Sequence, residues 1–151
     1  LPYMKKRFHE QHIRLSMAEA QFIADSMEQV PNAIQELCQW LYNTRAGKTL
    51  AIQDIRQSIA EILESKASRY LERIVHLREK EKNVLIGIAR AQPVAMITQT
   101  AFVRATGVSA SGIQAAVKRF DDQGVIDRSA KGYFLVDPLF RLFLASNETK
   151  I

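Results

Sequence analysis

The sequence predicts a mostly α-helical chain: a helical bundle over residues 1–65, then a leading helix, a helix-turn-helix and a small two-stranded β-hairpin within residues 66–151. Three observations carry that expectation. Apolar residues recur at three- and four-residue steps through most of residues 3–91, the spacing of one helix face. The stretch TGVSASGIQAAVKRFDDQGVI (106–126) sets a turn glycine and a capping serine ahead of a second helical stripe, then stops that stripe at Gly124. Two short alternating runs flank SAKG (129–132), which supplies turn residues between strands.

Taken in order, Tyr3, Met4 and Phe8 fall on one face of a first helix, and Pro2 stands at its start, where a missing N–H interrupts nothing. SMAE (16–19) reads as a capping box, the Ser16 oxygen accepting from a free first-turn N–H while Glu19 reaches back. It opens a helix carrying Phe22, Ile23 and Met27. Pro31 starts the next, with Ile34, Leu37, Cys38, Leu41 and Tyr42 as its stripe, and TRAGKT (44–49) breaks it. From Leu50 the stripe Ile52, Ile55, Ile59, Ile62, Leu63 runs for several turns. SKAS (65–68) allows a bend before Tyr70, Leu71, Ile74 and Leu77 resume it. REKEKNVLIGIARA (78–91) has a charged start, an apolar body of Val84, Leu85, Ile88 and Ala89, and an end set by Pro93. Thr98 to Ala105 make a short helix, Gly107 turns the chain, and Ser109 caps a second helix that ends at Gln123-Gly124. Val125 to Arg128 and Gly132 to Val136 alternate as two strands, and Asp137-Pro138 starts a last amphipathic helix, LFRLFLAS (139–146). Helix, helix-turn-helix and two-stranded wing make the winged-helix arrangement.

Composition bounds the function classes. The chain has 151 residues, 47% hydrophobic and 25% charged, ordinary for a soluble protein of one domain or two small ones. No apolar run approaches the roughly 18 residues of a membrane-spanning helix, and the start LPYMKKRFHEQ lacks a secretory pattern, so a cytoplasmic protein with no membrane partner is expected. Cys38, the single cysteine, sits within an apolar stripe and reads as a buried thiol. The net charge of +5 is spread thinly: Lys and Arg against Asp and Glu number 6 to 5 over residues 1–48, 8 to 6 over 49–91 and 7 to 5 over 92–151. Such even charging weighs against a dedicated nucleic-acid binder, which concentrates its cations. His9, His12 and His76 are scattered; His9 and His12 have a spacing that chelates, but nothing nearby completes a metal set. No catalytic constellation is legible, and no G-x-x-x-x-G-K-[ST] loop occurs, AGKT (46–49) being only its last letters without the upstream glycine or strand.

The helix-turn-helix carries the candidate binding residues. Ile113, Val117 and Phe120 form the buried stripe of its second helix and leave Ser109, Ser111, Gln114 and Lys118 facing outward at groove-reading positions, with Arg119 beside them. Gln114 suits adenine, the serine hydroxyls and Lys118 suit phosphates, and Arg128 and Lys131 on the wing would reach a nucleic-acid backbone. Ala110, Gly112, Ala115 and the Asp121-Asp122 pair suit equally a surface that packs on protein. Both readings stand on the residues alone.

MKKRF (4–8), the helix from Ser16 and VPNAIQELCQWLY (30–42) resemble the helical lid that follows the ATPase core in the archaeal-ATPase type of AAA+ or STAND-like P-loop proteins. EKNVLIGIARA (81–91), the helix-turn-helix and GYFLVDPLFRLFL (132–144) are similar to the winged-helix tail of the same proteins, DPLFRLFL being the most specific part. The resemblance implies a C-terminal fragment, lid plus winged helix, whose missing N-terminal P-loop domain binds ATP and Mg, while the fragment holds no cofactor and hydrolyses nothing itself. Asn32 would be the lid contact to nucleotide, since the Arg that many such lids carry near that helix start is absent from Pro31-Asn32-Ala33. Nucleotide-gated presentation of the winged helix to duplex DNA follows as the leading expectation; a protein partner or self-association, with LFRLFLAS as part of the interface, is the alternative.

Overall fold

Eight helices and one antiparallel two-stranded sheet make up the described residues, 1–146, of the computed structural model. The chain divides into two units, Leu1–Lys66 and the remainder from Ala67.

In the first unit α1 (Pro2–Glu10), α2 (Met17–Ser26), α3 (Pro31–Thr44) and the part of α4 (Ile52–Ile74) up to Lys66 enclose one core. Phe8, Ile23, Met27, Leu37, Leu41 and Ile55 are all fully buried there. Phe8 meets the Tyr42 ring at 4.5 Å between centroids. Glu61 on α4 accepts from the Trp40 indole N–H at 2.9 Å and the Arg45 guanidinium at 3.1 Å, which fastens α3 to α4; those donors hold its carboxyl below the usual carboxylate range. Cys38 is buried as expected, and desolvation pushes its thiol up to about 11, far from a reactive thiolate.

Three local expectations fail here. Tyr3 is 73% exposed, because Met4 and Phe8, four apart, define the buried line of α1, and Tyr3 lies on its solvent side. Ser16 occupies the N-cap position in extended conformation but makes no side-chain capping bond; Glu19 Oε2 is buried without a hydrogen-bond partner instead of reaching back. Residues 65–68 do not interrupt the helix: α4 runs without a break from Ile52 to Ile74, and the Ser65 hydroxyl is satisfied inside it by donating to the Ile62 carbonyl at 2.7 Å.

In the second unit α5 (Glu79–Ala91) is the central element, packed by α6 (Thr100–Thr106), α7 (Ala110–Asp122), β2 (Gly132–Leu135) and α8 (Pro138–Ser146). Its expected apolar body, Val84, Leu85, Ile88 and Ala89, is fully enclosed. Gly87 lies where α6 comes closest: a Cβ there would stand 2.7 Å from the Thr106 methyl. β1 (Ile126–Ser129) pairs antiparallel with β2, Ile126 opposite Leu135 and Ser129 opposite Gly132, with Ala130 and Lys131 as the tip.

The DPLFRLFL segment is architecture. Asp137 Oδ1 accepts from the Leu139 and Phe140 N–H groups at 3.0 and 3.2 Å, so it is the N-cap that Pro138 needs behind it. Leu139, Phe140, Phe143 and Leu144 are buried, Phe140 and Phe143 each 5.1 Å from the Tyr70 ring. Arg141 donates through Nε to the Ala89 carbonyl at 2.9 Å, satisfying one of the orphan acceptors at the end of α5. Four of the six apolar residues of LFRLFLAS are thus part of the core of its own unit, while Leu142 and Ala145 are half-buried.

Candidate nucleic-acid interface

The turn between α6 and α7 is built from Thr106-Gly107-Val108-Ser109. Thr106, buried, donates its hydroxyl to the Phe102 carbonyl at 3.0 Å and accepts from the Val108 N–H at 3.3 Å, which closes the end of α6. Gly107 takes the left-handed conformation (φ 68°) and its N–H returns to the Val103 carbonyl, a C-terminal cap in which a Cβ is disfavoured. Val108 is buried and anchors the turn, and Ser109 then caps α7 by accepting from the Gly112 N–H at 3.2 Å. The cap expected at Ser109 is therefore formed, three positions after the end of a helix one residue shorter than Thr98 to Ala105.

Ile113, Ala116, Val117 and Phe120 face the core, leaving Ser109, Ser111, Gln114, Ala115, Lys118 and Arg119 exposed on α7. Ser109 and Ser111 lie 3.3 Å apart through their hydroxyls, one donating to the other, so the first turn presents a coupled pair with one hydroxyl hydrogen left to donate outward. Gln114 and Lys118 are four residues apart, one above the other on the helix surface. Arg119 is engaged elsewhere: its guanidinium pairs with Glu81 of α5. Glu81 also accepts from the Arg78 backbone N–H at 2.9 Å, and that bond first, with Arg119 next among its favourable partners, holds its carboxyl below the usual range. One carboxylate thus caps α5 and fixes the outer side of α7.

The wing is braced more firmly than a free hairpin. Val94 pairs with Tyr133 by two backbone hydrogen bonds of 3.0 Å, adding a one-residue third strand that the sequence reading missed. Gly132 permits this approach: a Cβ on it would stand 2.4 Å from the Val94 carbonyl carbon. The Gln92 side-chain carbonyl accepts from the Leu135 N–H at 3.0 Å, so the chain around Pro93 braces β2 at both ends. Arg128 lies over the Tyr133 ring at 5.1 Å, and Lys131 is exposed at the tip, where its backbone N–H donates to the Ser129 hydroxyl oxygen. Among the described residues no carboxylate pairs with Lys118, Arg128 or Lys131. Negative charge is close in sequence, however, with Asp121, Asp122 and Asp127 all exposed.

Asn32, the remaining candidate, lies in the other unit, exposed at the second residue of α3. Among the described residues no group of three or more His, Cys, Asp or Glu is placed to hold a metal, and no helix is long and apolar enough to cross a membrane. Of the unforeseen features, only Gly87 carries a signal in the sequence, a lone glycine inside a helical stripe. The Glu81–Arg119 pair and the Val94 strand join residues 38 and 39 positions apart, beyond the reach of local pattern.

Residues 68–146 match the family described as a probable winged helix domain. No curated protein and no solved structure matches the chain.

Proposed function

This chain belongs to the family of the probable winged helix domain, and from that premise we propose that α7 and the β1–β2 wing dock on duplex DNA, under control of an ATP- and Mg-binding P-loop domain in the intact protein. One observation carries the DNA half: Lys118 beside Gln114 on α7, with Arg128 and Lys131 on the wing, is exposed and, like them, free of carboxylate partners among the described residues, in an arrangement of the kind that enters a major groove. Gln114 reads adenine through its amide, Ser111 and Lys118 hold phosphates, and the wing cations reach the flanking backbone. Arg119 contributes less than its charge suggests, since Glu81 neutralises it.

Binding through so few cations is weak and sensitive to salt, as suits a surface presented by a larger machine. The gating half rests on the likeness of MKKRF, VPNAIQELCQWLY and DPLFRLFL to the lid and tail of archaeal-ATPase-type proteins, with Asn32 as the lid contact to nucleotide. A P-loop encoded directly upstream in the same reading frame supports it; a reading frame without one removes it. For the DNA half, titration of a labelled duplex read by fluorescence anisotropy is the test. Saturable binding that weakens in Lys118→Ala supports it, and a flat titration up to about 100 μM protein, where non-specific complexes form, contradicts it.

A second reading is favoured by Leu71 and Val75, four apart and 41% and 61% exposed in the second unit. Two exposed apolar side chains at that spacing suit contact with a protein partner or a second copy. Concentration-dependent self-association that Val75→Ser abolishes, with no response to duplex, selects that reading.

A further inference from the structure

The first unit contains a basic cavity that the winged helix does not use. After α1 the chain reverses through Gln11 and His12, the latter in the left-handed region (φ 55°), and enters a short extended segment. There the Arg14 N–H donates to the Lys48 carbonyl at 3.0 Å and the Leu50 N–H donates to the Arg14 carbonyl at 2.9 Å, so Arg14 and Thr49 form a parallel bridge. The second segment reaches this bridge through its own left-handed turn at Gly47 (φ 74°). Between the two turns lies a cavity of about 390 Å³, with His9, His12, Arg14, Gly47, Lys48 and Thr49 in its wall and the buried Ile13 among them.

Among the described residues the wall is formed by an arginine, a lysine, two histidines and a threonine beside Ile13 and Gly47, with no aspartate or glutamate. Among the described residues neither Arg14 nor Lys48 takes part in an ion pair. Converging cations raise the local potential of a concave site and select an anion with charge concentrated in a small volume. Guanidinium and ammonium groups together suit tetrahedral oxyanions, the first by its fork of donors and the second as a point charge. No Phe, Tyr or Trp lines the wall, so there is no stacking platform for a nucleobase. The volume falls in the range of small-molecule pockets and exceeds the needs of a single monoanion. GKT here is a turn facing its partner strand and not a phosphate loop at a helix start, since the helix that follows begins only at Ile52.

We propose that this cavity binds the di- or triphosphate group of a small molecule, Arg14 and Lys48 supplying the charge and His9, His12 and the Thr49 hydroxyl supplying donors. The site is separate from the DNA surface of the second unit. Its test is a ¹H–¹⁵N titration of the whole chain with inorganic pyrophosphate. Saturating shifts confined to the amides of residues 9–14 and 47–50 are expected. Arg14→Gln and Lys48→Gln should each weaken binding about tenfold or more, the loss typical of one charge-assisted contact. Lys5→Gln, exposed on α1, should leave it unchanged. Both test side chains are exposed, and the amide spectrum itself reports whether each variant is folded. Four outcomes overturn the proposal: no saturation by about 10 mM pyrophosphate, weaker than any useful affinity; shifts scattered over lysines throughout the chain; sulfate binding as tightly as pyrophosphate; or a short duplex shifting the same amides at lower concentration. Lys118→Ala leaves the site intact, so failure here and failure of DNA binding are separable.

Discussion

Gly132 and Glu81 show how single residues shape the proposed binding surface from positions outside it. Gly132 has φ 132° and no room for a Cβ against the Val94 backbone, so Gly132→Ala must separate the wing from its third strand. A loss of about 2–4 kcal/mol in chemical denaturation is expected, the range of strained backbone sites with a steric clash. Glu81 holds the α5 cap and Arg119 at once, and its carboxyl lies below the ordinary value of 4.5. A depressed carboxyl contributes stability that is fully present above its unfolded value and is lost as pH falls through its folded one. Glu81→Gln should therefore cost about 1–2 kcal/mol at neutral pH, as expected for charge-assisted hydrogen bonds. It should also flatten the decline in stability below pH 4.5 relative to wild type. Denaturation midpoints from pH 7 down to pH 3 measure both effects.

At the scale of elements, helices with strong periodicity were legible and their ends were less so. The stripes of α5 and α7 put the expected residues inside, and that of α3 does so for Leu37, Cys38 and Leu41 while Ile34 and Tyr42 at its edge stay half-buried, because an apolar face that repeats every three or four residues buries its centre line first. Ser109 was readable as a cap and holds as one, while Ser16 in a similar position does not; a capping box needs Glu19 to bend back, and Glu19 is drawn into the interior instead. The third strand at Val94 was not legible, since one bridging residue has no period to display. In α8 the motif's conspicuous charges serve packing: Asp137 caps the helix and Arg141 closes the end of α5. Asp137→Ala should cost about 1 kcal/mol as a lost N-cap. Phe140→Ala should cost about 3–5 kcal/mol as a buried aromatic removed from a ring cluster with Tyr70. Thermal unfolding of the two variants separates the contributions by their size.

For the whole molecule, the mostly helical architecture and the hairpin followed from the sequence, whereas the state of the cations did not. Arg119 and Lys118 are adjacent and look equivalent in the sequence, and both are exposed; only the fold pairs one with Glu81 and, among the described residues, leaves the other without a carboxylate partner. On the proposed reading, that difference leaves Lys118, Arg128 and Lys131 as the footprint of an otherwise evenly charged chain. Salt dependence of duplex binding tests this footprint most directly, because each phosphate neutralised changes the slope of log affinity against log salt by about 0.9. A slope near −3 for the wild type is expected, falling by about 1 in Lys118→Ala and by much less in Arg119→Ala once its altered stability is allowed for. Equal slopes in wild type and Lys118→Ala, or no binding at low salt, contradict the assignment of α7 and the wing to DNA.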